Sequence, residues 1–165
     1  MAENSAAVEP ALPSSRFSLR HAERSDARAI RRLIYRVGNN PMGLDWRHFW
    51  IVTEDSAGLV ACGQIKMHLD GSRELASIAV SPGWRGMGLA RVIIEKLLRE
   101  TASPTYLTCR ASLGAFYNRF GFQTLSNVAE MPLYFQLVWR AASIIREFIP
   151  RAGEMLVMRR LINHS

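Results

Sequence analysis

The sequence predicts an α/β fold, in the broad sense that includes α+β, with a mixed central sheet of about six or seven strands flanked by helices. Three observations point there. Short apolar runs of strand character are interleaved with segments of helical period. Their alternation lacks the regular βαβ rhythm of an all-parallel sheet. Hydrophobic residues make up 48% of the chain and charged residues 21%, a balance that sustains a packed core in 165 residues.

Met1 to Ser15 holds small residues and prolines without an apolar period, so residues 1–15 are expected to be a disordered tail and 16–165 a single domain. A first strand is expected over Phe17 to Ala22. Ser25 has the chemistry of an N-cap for a helix reaching Val37. Ile30, Leu33, Ile34 and Val37 form that helix's apolar face, and Arg28, Arg31, Arg32 and Arg36 its solvated one. Gly38 and Asn39-Asn40-Pro41 end it. Strands follow at Phe49 to Thr53, Leu59 to Leu69 and Ser72 to Val80, the last two joined by a two-residue Asp70-Gly71 hairpin turn. Leu89 to Glu100 repeats apolar residues at helical spacing. Beyond it come a strand at Thr105 to Cys109, a short helix at Leu113 to Phe120, and strands at Phe122 to Leu125 and Glu154 to Leu161. Pro132 to Ile149 reads as a helix whose polar residues Gln136, Arg140, Ser143 and Glu147 form one narrow stripe, the pattern of a helix buried on most sides. Packing on the sheet, a homodimer contact and a wall of an acceptor pocket are the roles open to it.

Composition excludes several function classes. The net charge of +7 suits a polyanionic partner, but the basic residues are scattered and no strand pair interleaves them with aromatics, so no nucleic-acid partner is expected. No run of 18 uncharged apolar residues occurs, and no membrane span is expected. The first fifteen residues carry Glu3 and Glu9, no basic residue and no continuous apolar stretch, unlike a secretory signal. Cys62 and Cys109 sit singly in strand-like runs, without CxxC or Cys/His spacing. They read as buried thiols in a reducing, cytoplasmic setting, with no metal site and no covalent nucleophile.

The chemistry concentrates at a glycine-rich turn, Ser81-Pro-Gly-Trp-Arg-Gly-Met-Gly-Leu-Ala90, between a strand and a helix. Gly83 to Gly88 has the spacing of a nucleotide-triphosphate loop, but Leu89-Ala90 stand where Lys and Ser/Thr are required. Gly86 and Gly88 suit a dinucleotide fingerprint, whose third glycine is here Arg91. What remains is either a tight strand-to-helix turn with incidental glycines or a turn whose backbone N–H groups and helix dipole favour a pyrophosphate, with glycines that let the backbone approach closely.

Arg85-x-x-Gly88-x-Ala90, following Ile78-Ala79-Val80-x-Pro82, resembles the acetyl-CoA-binding motif of the GNAT N-acetyltransferase superfamily. Phe116-Tyr117-Asn118-Arg119-Phe120-Gly121-Phe122 resembles the same family's FYxxxGF segment, and the resemblance is strong over Glu74 to Phe122. It implies the GNAT fold and direct transfer of an acetyl group from acetyl-CoA, as co-substrate, to a primary amine. It further implies that the backbone of Ile78, Ala79 and Val80 runs beside pantetheine and the acetyl group. Arg85, Gly86, Met87, Gly88, Leu89, Ala90 and Arg91 would then cradle the pyrophosphate. Tyr117 matches the family's general acid, which protonates the departing thiolate.

A base for the amine is sought by geometry. With Asp70-Gly71 as a two-residue turn, Met67 pairs with Glu74, which places Glu74 on an apolar face with Ile65, Ala76 and Ile78 and nominates it as base. The same register puts His68 on the other face, making it a weaker candidate, ahead of His21 and His48. The rival reading is a non-catalytic acyl-CoA-binding regulatory module.

Overall fold

The computed structural model describes residues 10–101, 104–148 and 153–161. Of the expected tail, residues 1–9 lie outside the described residues, as does Ile149 of the long helix. A seven-stranded mixed sheet runs in the order β1-β2-β3-β4-β5-β7-β6. Its strands are β1 (Phe17–His21), β2 (Phe49–Glu54), β3 (Gly58–Met67), β4 (Arg73–Val80), β5 (Thr105–Arg110), β6 (Gln123–Thr124) and β7 (Met155–Arg160). The helices are α1 (Ala27–Arg36), α2 (Leu89–Arg99), α3 (Gly114–Asn118) and α4 (Leu133–Phe148). The chain groups into two compact units, residues 1–63 with 77–99 and residues 64–76 with 100–165.

In the first unit β1 and β2 pair antiparallel from Phe17↔Glu54 to His21↔Trp50. The apolar period of α1 buries Ile30, Leu33 and Ile34 against Phe49, Ile51, Cys62 and Ala79, while Arg28, Arg31, Arg32 and Arg36 stay exposed. Ser25 does not cap this helix. It lies in a 3₁₀ turn, Arg24–Asp26, and Asp26 takes the local donors: the Glu23 N–H at 2.8 Å and the Arg20 guanidinium at 2.7 Å. Helix α2 buries Leu89, Val92, Ile93, Ile94, Leu97 and Leu98. Gly63 of β3 is so closely covered that a Cβ there would lie 2.7 Å from Ile93 Cγ2 of α2 and 2.5 Å from Ile78 Cδ1 of β4. Glycine there is a packing requirement.

In the second unit the hairpin differs from expectation. The His68 N–H donates to the Ser72 carbonyl at 2.9 Å, and the Gly71 N–H to the His68 carbonyl at 2.9 Å, with Gly71 at φ 80°. This is a three-residue loop, Leu69-Asp70-Gly71, closed by a glycine bulge. His68 therefore opposes Ser72, and Lys66 rather than Met67 opposes Glu74. The slip of one residue moves Glu74 to the face of His68.

Strand β5 pairs antiparallel with β7 from Thr105↔Arg160 to Arg110↔Met155, and β6 adds two pairs to β7. Strands β4 and β5 run parallel and, among the described residues, pair through Arg73↔Thr105 and Glu74↔Tyr106. Helix α4 is not buried on most sides. Phe135 is its one fully buried residue, and it packs with Leu125, Met131 and Val157. Leu133, Leu137, Ile144, Ile145 and Phe148 are exposed. Tyr134 and Trp139 are partly buried against the same cluster, so the helix is covered along one side and leaves the other apolar residues outward, which a narrow polar stripe does not reveal.

Candidate active site

The glycine turn lies in the first unit. A 3₁₀ turn, Pro82–Trp84, delivers the chain to Arg85, and α2 begins at Leu89. Gly86 and Gly88 have φ 80° and 79°, and no heavy atom lies within 4 Å of a Cβ built at either. The left-handed backbone, not crowding, demands glycine at both positions. At the entry to α2 the Val92 N–H donates to the Gly88 carbonyl at 3.1 Å, and the amides of the turn before it are those a helix N-terminus offers to an anion. Arg85 is exposed. Arg91 is exposed too, but its Nε donates to Glu95 Oε1 at 2.7 Å, one helical turn on. On β4, Ile78 and Val80 are half-buried and Ala79 is buried. The Ile78 carbonyl accepts the Asn39 side-chain amide at 2.9 Å, a contact with no signal in the local sequence. Just before it, Ser77 has φ 58°, so the strand is locally distorted and its alternation interrupted. Ile78 reaches toward Gly63, which lies against α2.

Glu74 lies in the second unit and is 6% exposed. Its Oε2 is 2.9 Å from His68 Nε2, and its Oε1 accepts the Thr108 hydroxyl at 3.3 Å. The shifted hairpin register is what brings His68 here. The His68 ring is stacked on Tyr134, with centroids 3.4 Å apart and planes at 14°, and it meets Phe135 edge-on. Asp70, in the hairpin loop, accepts the Tyr134 backbone N–H at 2.8 Å and caps α4 across 64 residues of sequence. Burial pulls the Lys66 ammonium below the ordinary lysine value, with Glu74 opposing. Burial raises the Tyr134 phenol, and Glu74 adds to the rise. In both cases the leading cause is burial of the group itself, which disfavours its charged form.

Tyr117, on α3, is half-buried among Phe116 and Phe122, with ring centroids at 5.1 and 6.1 Å. Its hydroxyl makes no hydrogen bond among the described residues. Burial pushes its pKa up to about 12, with a smaller contribution from Cys109. Tyr117 and Glu74 belong to opposite faces of β5. Thr108, bonded to Glu74, pairs with Val157, which packs with Phe135 of α4. Cys109 pairs with Leu156, against which Gly114 of α3 is packed.

Cys62 and Cys109 are buried and free. Burial pushes the Cys62 thiol to about 12 and raises Cys109 as well, so neither is an activated thiolate. The His21 ring lies tilted against Trp50, with centroids 3.9 Å apart and planes at 39°, and His48 is exposed. Among the described residues no group of three or more His, Cys, Asp or Glu is placed to hold a metal, and no helix is long and apolar enough to cross a membrane. Reading the sequence alone missed Asn39, Thr108, Asp70 and Tyr134. Each acts through a partner that is 34 or more residues distant.

Residues 45–124 match the family profile of an acetyltransferase (GNAT) domain. No curated protein matches the sequence. Among solved structures, Rv2747 from Mycobacterium tuberculosis, in complex with CoA and NLQ, superposes with a TM-score of 0.66. The identity is 20%, over 88% of this chain and 99% of that one. N-acetylglutamate synthase from Neisseria gonorrhoeae, complexed with coenzyme A and N-acetyl-glutamate, gives a TM-score of 0.67 at 19% identity. The match covers 92% of this chain and 36% of the synthase, so the present chain spans little more than a third of that protein. Escherichia coli ElaA gives 0.61 at 19% identity, over 87% of this chain and 97% of its own. At such identities the likeness is one of fold.

Proposed function

The chain carries a GNAT acetyltransferase domain, and on that premise we propose that residues 16–165 act as one N-acetyltransferase domain, transferring acetyl from acetyl-CoA directly to a primary amine. The observation that carries this reading is the turn from Arg85 to Arg91, with Gly86 and Gly88 both left-handed at the entry to α2. It supplies amides and a helix dipole for a pyrophosphate, and it lacks the Lys-Ser/Thr pair of a P-loop. Arg85, Gly86, Met87, Gly88, Leu89, Ala90 and Arg91 hold the pyrophosphate in this reading, and Ile78, Ala79 and Val80 run beside pantetheine. That two of the solved neighbours were complexed with CoA supports the cofactor.

Acyl transfer needs a lone pair on the amine, stabilisation of the tetrahedral oxyanion and a proton for the leaving thiolate. The Val80 region provides a backbone N–H for the oxyanion. Tyr117 provides the proton, and a phenol raised to about 12 is fully protonated at working pH. Glu74, joined to His68, takes the proton of the amine. Acid and base serve different substituents of one carbon, so both must reach the same centre, and the placement of Tyr117 and Glu74 on opposite faces of β5 makes the two roles separate claims to be tested one by one. No covalent enzyme intermediate is needed, and neither cysteine is activated to form one. The acceptor is a small-molecule amine or a peptide or protein amine.

A panel of amine acceptors with acetyl-CoA, read by thiol release, tests the proposal on the parent chain, Tyr117→Phe and Glu74→Gln. Turnover that falls in both variants supports it, and rates unchanged in both refute the assigned roles. The engagement of Glu74 by His68 and Thr108 is what favours a second reading, an acyl-CoA-binding regulatory module. That module would bind CoA tightly and turn over no amine.

A further inference from the structure

The segment before β1 reaches the glycine turn. A cavity of about 300 Å³ is lined by Ala11 and Pro13 from this segment and by Met87, Gly88, Arg91 and Glu95 from the turn and the start of α2. Pro10 is buried, and Ala11 and Pro13 are exposed. The segment is anchored at its β1 end. At β1, the Phe17 N–H donates to the Ser14 carbonyl at 3.2 Å and turns the chain back. Beside the glycine turn, Trp84 meets Phe17 edge to face with centroids 5.6 Å apart. The Arg16 guanidinium lies 5.1 Å from the Phe17 ring and 5.2 Å from the Trp84 ring. Such a cation over two rings adds a modest attraction that favours this position. Trp84 immediately precedes Arg85, so the same residue that leads into the turn also carries the N-terminal segment.

We infer that Pro10 to Ser15 is a wall of the phosphate site, facing the turn across the cavity, so that the nucleotide end of an acyl-CoA binds between Ala11–Pro13 and the start of α2. This inference rests on the cofactor reading above. Its physical consequence is that the segment shields the pyrophosphate from water on the side opposite the amides, which strengthens each amide–phosphate contact. A charge placed on the wall therefore acts on the phosphates, whereas the pantetheine end does not feel it.

The experiment uses the full chain with two substitutions of opposite sign at one exposed site, Ala11→Asp and Ala11→Lys, with CoA and pantetheine as probes in titration calorimetry. Melting curves establish that the variants fold. Ala11→Asp is expected to weaken CoA binding on the order of threefold to tenfold at low salt, and Ala11→Lys to leave it equal or tighter. The difference should shrink as salt is raised, and pantetheine affinity should be the same in all three proteins. Equal CoA affinity in folded parent, Asp and Lys proteins overturns the inference while leaving the cofactor site standing. A shift of pantetheine as large as that of CoA also overturns it. Failure of the parent chain to bind CoA overturns the cofactor reading, and this inference with it.

Discussion

Tyr117→Phe separates a chemical role from a packing role, because the hydroxyl it removes has no hydrogen-bond partner among the described residues. The ring contacts with Phe116 and Phe122 are made by carbon atoms that phenylalanine retains. Stability should therefore change by no more than about 0.5 kcal/mol. Loss of a general acid costs roughly 10²–10⁴ in rate, or about 3–5 kcal/mol of transition-state stabilisation. The assay is thiol release from acetyl-CoA at saturating acceptor, with a melting curve on the same preparation. A second signature comes from pH. The phenol's folded-state pKa of about 12 stands above its ordinary value near 10, chiefly because of burial. Below pH 10 folded and unfolded chains are both protonated, and the group has no effect on stability. Between about pH 10 and 12 the unfolded chain ionises first, so the fold loses on the order of 2–3 kcal/mol across that window. Phenylalanine removes this alkaline component. A variant that keeps the parental rate refutes the acid role. One that loses rate and stability together assigns Tyr117 to packing.

Three further perturbations probe the supports of the site. Asp70→Ala removes the acceptor of the Tyr134 and Ser72 N–H groups, at about 1–2 kcal/mol for a lost cap, and should lower Tm by about 3–6 °C while increasing hydrogen exchange in the first turn of α4. Burial alone would raise the Asp70 carboxyl, but hydrogen bonds from Ser72 and Tyr134 hold it below its ordinary value. Its stabilisation is thus complete above about pH 4 and is lost as pH falls through the folded value, which acid titration of the parent against Asp70→Ala should show. Gly63→Ala drives a methyl into Ile78 and Ile93, and overpacking of this kind should cost about 1–3 kcal/mol in denaturant unfolding. Glu95→Gln releases Arg91 from an exposed i,i+4 pair worth about 0.3–0.5 kcal/mol, so stability should hardly move. Calorimetry should show CoA binding about two- to fivefold tighter, with a steeper salt dependence.

Much of the fold was legible because it is written in local chemistry. The apolar periods of α1 and α2 locate their buried faces, and the expected strands agree with those observed to within a residue or two. Ser25 was a plausible cap on residue type alone, but Asp26 holds two donors that Ser25 does not reach, one of them on Arg20 of the preceding strand. Burial of α4 was overestimated for a related reason. Composition reports how apolar a helix is, and not how many neighbours the chain provides to cover it.

What the sequence by itself determined is the glycine turn and its helix. The φ values of Gly86 and Gly88 are available to few other residue types, so their spacing implies a close-approach turn, and Leu89-Ala90 in place of Lys and Ser/Thr is not the P-loop signature. What only the tertiary structure decided is the company Glu74 keeps. Asp70-Gly71 is compatible with a loop of two residues or of three. In the folded chain Asp70 bonds Tyr134 at the start of a helix 64 positions away, and the three-residue loop turns His68 onto Glu74. Strand side chains alternate with a period of two, so that one residue decides which face a carboxylate occupies, and no residue within the hairpin announces it.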